Sequence, residues 1–385
     1  MRNKKKYIII TPYFPSEFSH VGSYIYDQAK AINSDDNYSV KVVKVVPFFT
    51  QDSDYYFKGI EVSVFRVLDF PFFILPGFFN WLNSVRIKRF FKSKRFIENL
   101  DVVHGHVSYP SAPLVNAISS ILDVRKIIQH HALDPLQLMN CRFKIIKNFQ
   151  YGFIENQSLS QLNKIDLNVS VSNKVSNVLH DHRGYCPKEE YILYNGVDRT
   201  KFHNMNIDRS STNYTIGCVA NFWPIKDHIN LIKSIELLVR EGVDDIHLRL
   251  IGSGETLYLC KNFVEKNDLE EYIFFESERS HDQMNIFYNE IDLFVLPSYF
   301  EAYGCVLMEA WATDTPIISV RGQGFAELIP SNSRGYLLAE ARSPVSLKEK
   351  IFGQYQNRQL YSFDNQYDIN NTIFEFLKQP FFHEK

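Results

Sequence analysis

Two glutamates, Glu301 and Glu309, flank a glycine, Gly304, with seven residues between the two carboxylates. Carboxylates accept hydrogen bonds from sugar hydroxyls, and a glycine lets a ligand come close to the backbone. N–H groups at a helix start behind that glycine favour an anion such as a phosphate. Together the three could hold a phosphorylated sugar, with Glu301 to one side of the anion and Glu309 beneath it. The plainer alternative has Glu301 complement a helix dipole and Glu309 face solvent.

The elements that must position them are legible in the flanking residues. Leu293 to Leu296 is an apolar run closed by Pro297, which reads as a buried strand ending in a loop. Gly304 opens a segment whose Val306, Leu307, Ala310 and Trp311 recur at helical spacing, and Pro316 starts a second apolar run, Ile317 to Val320. Strand, loop, helix and strand make a crossover between parallel strands, with a ligand crevice expected at their carboxyl ends.

From Pro297 to Ser319 the chain reads Pro-Ser-x-x-Glu-Ala-Tyr-Gly, then Glu-Ala-x-Ala, then Thr-Pro-Ile-Ile-Ser. This phrase resembles the donor-binding signature of the retaining glycosyltransferases of family 4. The family's Gly-Phe-Gly after the first Glu reads Ala302-Tyr303-Gly304 here, and its small residue and Gly before Thr-Pro read Thr313-Asp314. Gln323-Gly324 followed by Glu327 matches its glycine-containing turn and acidic residue. The resemblance implies that Glu301 contacts the donor sugar, that Glu309 binds the ribose, and that Tyr303, Gly304, Cys305 and Val306 line the donor site.

Other stretches extend the likeness. Ala220-Asn-Phe-Trp-Pro-Ile-Lys-Asp-His resembles the family's Gly-Arg-Leu-x-x-x-Lys-Gly loop, whose Arg and Lys hold the donor diphosphate. Lys226 matches, whereas Asn221 stands where the Arg is expected and cannot form its bidentate contacts. Either Asn221 serves with backbone N–H groups, or a basic residue such as Arg321 substitutes from another loop. In the first half, Tyr13-Phe-Pro-Ser and the glycine-led helix after it resemble the first strand–helix unit, where Gly22 sits in a loop facing the acceptor and the donor phosphates. Lys126-Ile-Ile-Gln-His-His-Ala-Leu-Asp resembles a strand followed by Thr-x-His-Gly-x-Asp, with Gln129 for Thr and Ala132 for Gly. That places His131 at the family's active-site histidine, while His104 and His106 read as structural. The implied catalytic residues are His131, Lys226 and Glu301. No metal is expected, and no cofactor is implied beyond the nucleotide-diphosphate sugar itself.

Length and composition agree. The 385 residues suit two domains, and 45% hydrophobic content supports sizeable cores. The five cysteines form no metal-ligand pair and read as reduced thiols of a cytosolic protein. Met1 to Ile10 begins like a signal peptide, but the apolar run is too short for one, and no stretch approaches a membrane span. The expected organisation is GT-B: two doubly wound α/β, Rossmann-like domains facing across a cleft. Residues 1–198 form the acceptor side, 199–365 the donor side, with 199–213 as a polar linker and 366–385 as a helix crossing back.

Charge is uneven, with 24 Lys and Arg against 18 Asp and Glu through residue 198, and 18 against 26 beyond. Residues 70–96 concentrate it: Phe72, Phe73, Ile74, Leu75, Phe78, Phe79 and Trp81 precede Arg86, Lys88, Arg89, Lys92, Lys94 and Arg95. No nucleic-acid motif accompanies them, so an anionic membrane surface is the expected partner. Alternatively the aromatics are core and the basic residues a solvated helix face, with Phe90, Phe91 and Phe96 buried. The expected protein is a cytoplasmic, peripherally bound glycosyltransferase. It would move a sugar to a hydroxyl of a saccharide acceptor, free or lipid-linked, in polysaccharide or lipopolysaccharide synthesis. A non-catalytic sugar-nucleotide binder and a nucleotide-sugar epimerase of the same fold are the rivals.

Overall fold

The computed structural model describes residues 4–69, 75–132, 146–207, 213–359 and 362–383. The chain divides into two compact units, Met1–Asn195 with Ile369–Lys385, and Gly196–Asp368.

In the first unit, short apolar runs become strands because a parallel sheet covered on both faces buries both sides of each strand. The elements run β1 (Lys5–Thr11), α1 (Ser23–Ser34), β2 (Tyr38–Pro47), β3 (Tyr55–Phe57), β4 (Ile60–Val67), α2 (Asn80–Ser93), β5 (Leu100–His106), α3 (Ser108–Ser119), β6 (Arg125–His130), α4 (Lys147–Leu162), β7 (Leu167–Ser170), α5 (Asn173–His180) and β8 (Glu189–Ile192). Their order in the sheet is β3-β4-β2-β1-β5-β6-β7-β8. All neighbours are parallel except β3 and β4, a hairpin turning at Lys58-Gly59. Parallel strands send their following loops to one edge of the sheet, where ligands bind in such folds.

The second unit runs β9 (Tyr214–Val219), α6 (His228–Arg240), β10 (Ile246–Ile251), α7 (Leu257–Lys266), β11 (Ile273–Glu276), α8 (His281–Glu290), β12 (Leu293–Val295), α9 (Cys305–Ala312), β13 (Ile317–Val320), α10 (Arg334–Leu337), β14 (Leu338–Ala339) and α11 (Pro344–Gln356). The six strands lie in the order β11-β10-β9-β12-β13-β14, all parallel. The segment at 199–207, whose polar composition suggested a linker, is instead fastened to this unit. Phe202 is buried, and the backbone N–H groups of His203 and Met205 donate to Asn285 and Asn289 of α8 at 3.0 and 2.8 Å. Its polar side chains leave backbone pairing, which composition does not report, to do the holding.

The last helix, α12 (Ile369–Leu377), completes the first unit's core. Ile369, Ile373, Phe376 and Leu377 are its buried face, and they pack in one cluster with Tyr7, Ile9, Ile25 and Val42. A buried ion pair, Arg125–Asp101 at 2.5 Å, fixes the segment beyond it: Arg125 Nε donates to the Phe381 carbonyl at 2.8 Å. Truncating a fully buried aromatic loses its transfer energy and leaves a cavity. Phe376→Ala is therefore expected to destabilise the first unit by about 3–5 kcal/mol, read as a lower urea midpoint.

Candidate functional site

The densest group of candidate residues lies at the carboxyl edge of the second sheet. β9 and β12 are neighbours there, so the loops that follow them run side by side. After β9 the chain makes a short 3-10 turn, Pro224–Lys226, and Tyr299 N–H from the other loop donates to Ile225 O at 3.1 Å. Lys226 Nζ then meets Glu301 Oε2 at 2.5 Å, with 20 and 16% of the two side chains exposed. The pair is thus half-withdrawn from solvent yet reachable by a ligand.

The Glu301 loop is held on its far side by Gln323. Its Oε1 accepts the Glu301 N–H at 2.7 Å, its Nε2 donates to Tyr299 O at 3.0 Å, and Gly324 N–H donates to Glu301 O at 3.2 Å. Gly304, at φ +91°, caps the start of α9, so the positive end of that helix dipole points at the same loop. Glu309 follows on α9 and does not face solvent as the plainer reading allowed. Its Oε2 accepts from Tyr288 OH at 2.7 Å, and His281 Nε2 lies 3.5 Å from its Oε1. Burial, and then the Glu309 carboxylate, push the Tyr288 phenol well above its usual range, so it remains a protonated donor. A carboxylate with two oxygens keeps capacity for further donors.

The Lys226 loop rests on the loop after β10. A Cβ on Gly252 (φ +145°) would stand 2.1 Å from the Ala220 carbonyl oxygen, which no side chain tolerates. Phe222 N–H donates to Ser253 O at 2.7 Å, and Phe222 stacks on His228 at 3.9 Å. Asn221 is exposed at the start of this loop. Arg321, named above as its possible substitute, is directed to Glu340 at 2.8 Å in an exposed pair. A different cation stands at the site's loop: the Arg342 guanidinium lies 3.9 Å over the Tyr299 ring.

The first unit holds the other candidates, Gly22 and His131. Gly22 caps α1 at φ +87°, where a Cβ would meet the Tyr13 carbonyl oxygen at 2.6 Å. His131 follows β6 and lies 4.8 Å from the Tyr24 ring of α1. It is not isolated. His106 Nδ1 and His131 Nε2 share a hydrogen bond at 2.8 Å, His104 stacks on His106 at 4.4 Å, and Tyr7 OH reaches His104 Nδ1 at 2.7 Å. Behind them His130 is bonded to Ser108 and Asn168, each at 3.1 Å. His106, which the sequence offers as merely structural, is thus the partner that orients His131. Asp134 of the histidine motif lies outside the described residues.

Tyr288, His281 and Arg342, and the contacts of Gln323 and His106, leave no mark in the sequence. Each acts across a tertiary contact that no local spacing marks.

Comparison with known proteins identifies the family. Residues 21–201 match the family described as Glycosyltransferase Family 4, and residues 201–362 the one described as Glycosyl transferases group 1. An uncharacterized glycosyltransferase of Methanocaldococcus jannaschii is 28% identical over 264 residues, 68% of each chain. The capsular polysaccharide biosynthesis glycosyltransferase CapM of Staphylococcus aureus is 24% identical over 284 residues, again 68% of each. Among solved structures, a glycosyltransferase from Rickettsia africae superposes with a TM-score of 0.71 at 16% identity, covering 100% of both chains. Anabaena HepE in complex with UDP gives 0.66 at 16% identity, over 98% of this chain and 95% of that one.

The histidine cluster makes stability depend on pH. Burial lowers His104 to about 3 and His130 to about 4, and holds His106 well below 6.5. The unfolded chain therefore binds more protons than the folded one between about pH 6.5 and 4. Above about pH 7.5 the three rings are neutral in both states and stability is flat. As pH falls through 6.5, each adds a loss approaching about 1.4 kcal/mol per pH unit. Urea midpoints are expected to drop between about pH 7 and 5, before most carboxylates titrate; a flat midpoint across that span would contradict neutral buried rings.

Proposed function

Because the chain belongs to the family 4 glycosyltransferases of the GT-B fold, we propose that it moves a sugar, with retention of configuration, from a nucleotide-diphosphate donor to a hydroxyl of a saccharide acceptor. The observation that carries this reading is the Lys226–Glu301 pair beside the Gly304-capped start of α9, with Glu309 held by Tyr288 two turns on. Such a group offers positive charge for a diphosphate and two carboxylates for sugar hydroxyls.

The donor's bond from anomeric carbon to diphosphate oxygen breaks, and the acceptor oxygen bonds to that carbon on the same face. The acceptor's proton passes to the leaving diphosphate. Negative charge develops on the leaving group, where fixed positive charge contributes most to catalysis. Lys226 and the α9 N-terminus supply it in this reading, so the reaction proceeds without a metal ion. Lys226 also offsets Glu301, which alone would repel the diphosphate. Glu301 accepts from the donor sugar and Glu309 from the ribose, with Asn221, Tyr303, Cys305 and Val306 lining the donor site. His131 has its Nε2 engaged by His106, while its Nδ1 is buried without a partner among the described residues. HepE, solved with UDP and with UDP and glucose, supports a uridine nucleotide as a donor to try. CapM supports polysaccharide synthesis as the setting.

A thermal-shift screen of sugar nucleotides followed by mass analysis of products tests the reading. A lengthened saccharide with released nucleoside diphosphate is expected; an altered donor would mean an epimerase, and a complex without turnover a binder. EDTA is expected to leave turnover unchanged. Lys226→Ala is expected to lower turnover at least about tenfold, since charge stabilisation of a leaving group commonly exceeds 1.4 kcal/mol. A parental rate in that folded variant would remove Lys226 from the mechanism.

Glu309→Gln is expected to weaken nucleotide binding by about 1–3 kcal/mol, the cost of a charged hydrogen bond. Tyr288→Phe keeps the charge but frees the carboxylate, so its loss is expected to be smaller and to appear in the donor KM more than in kcat. Calorimetry and steady-state kinetics check the pair, and equal nucleotide affinity in Glu309→Gln and the parent would displace Glu309 from the ribose.

A further inference from the structure

Helix α2 has an inner face of core residues and an outer face of another character. Inward, Ile87 and Phe91 are fully buried, and Phe90 packs against Phe65 and Phe96. These aromatics are core, as one alternative held. Outward, Phe78, Trp81 and Val85 are 55, 67 and 40% exposed along one side of the helix and its lead-in. Arg89 and Lys92, both exposed, continue that side at the next helical spacings. The loop after β2 enlarges the patch: Phe49 is 85% exposed, and its neighbour Phe48 lies beneath the Arg86 guanidinium at 5.2 Å. Because β2 and β4 are parallel, this loop and the lead-in to α2 leave the same sheet edge. Phe72, Phe73 and Ile74 lie outside the described residues.

A solvated helix face carries neither this aromatic mass nor this charge imbalance. Lys94 is paired with Asp54, but Lys88, Arg89 and Lys92 have no ion pair among the described residues. From Phe70 to Ile97 the sequence holds no Asp or Glu. Exposed aromatics beside unpaired cations are complementary to a bilayer interface, where rings enter the acyl boundary and cations meet anionic headgroups.

We propose that Phe49, Phe78, Trp81 and Val85, with Arg89 and Lys92, dock the protein on an anionic lipid surface. A docked first unit presents the loops at its sheet edge to an acceptor carried on a lipid; that last step rests on the transferase reading, whereas binding itself does not.

The test uses the whole protein without sugar nucleotide, sedimented with vesicles of phosphatidylcholine alone or mixed equally with phosphatidylglycerol. Binding is expected to the mixed vesicles, to fall with salt, and to blue-shift fluorescence from Trp81, a shift absent in Trp81→Phe. Arg89→Gln with Lys92→Gln is expected to lower partitioning about 25-fold, near fivefold for each charge. Phe49→Ser with Trp81→Ser is expected to lower it at every salt concentration. All four positions are exposed, and unchanged circular dichroism confirms the fold. Equal partitioning into both vesicles, no binding, parental binding by either double variant, or affinity for an acidic protein with none for lipid would each overturn the proposal. Loss of vesicle binding with transfer to a soluble saccharide intact would leave the transferase reading standing.

Discussion

The second unit depends on the pairing of β9 with β12, Ile216 beside Leu293 and Gly217 beside Phe294. These strands are far apart in sequence yet adjacent and parallel, so their loops leave together and Lys226 can reach Glu301. Gly217 leaves room above the sheet: a Cβ there would fall 2.5 Å from the Ile291 side chain and 2.8 Å from that of Phe287. The missing side chain lets the end of α8 sit close over the sheet. The same helix brings Tyr288 and His281 to Glu309, so the close approach at Gly217 and the aim of that carboxylate are parts of one packing arrangement.

The first unit solves a different problem, keeping polar rings in an apolar interior. His104, His106 and His130 are buried among strands; His104 stacks on His106, and hydrogen bonds tie the three to Tyr7, His131, Ser108 and Asn168. A buried polar atom without a partner costs more than its bond returns, and the network offsets that cost only in part, since His104 Nε2 and His106 Nε2 are buried without a partner among the described residues. Neutral rings suit this placement better than charged ones, because desolvation opposes the imidazolium. His131 at the end of the network is thereby supported from behind by a rigid neighbour rather than by a loop.

Much of the architecture was legible because buried parallel strands leave an unmistakable trace. Leu293 to Leu296 and Ile317 to Val320 are apolar runs, and each carries a strand. The helical spacing that opens at Gly304 becomes α9. β3 was not legible: three residues, two of them tyrosine, carry too little pattern, and its existence rests on pairing with β4. The spacing of Glu301 and Glu309 was legible because both belong to one loop–helix unit. Their partners were not, since Gln323 and Tyr288 come from neighbouring elements whose distance only the folded chain sets. Asn221 shows the limit from the other side. Its departure from the expected Arg was plain, but that Arg321 turns to Glu340 while Arg342 stacks on Tyr299 is decided only in the folded chain.

Helix α12 gives the fold a temporal order. Ile373, Phe376 and Phe382 belong to the core around Tyr7 and Val42, yet the ribosome makes them only after the whole second unit. Multidomain chains ordinarily fold their first domain while the rest is still being synthesised. Here the leading domain must wait as an unfinished body with an apolar gap beside α1, and the trailing domain, whose segment is continuous, is complete first. The first unit's core thus closes only after the second unit has been made, with α12 as the piece that completes it.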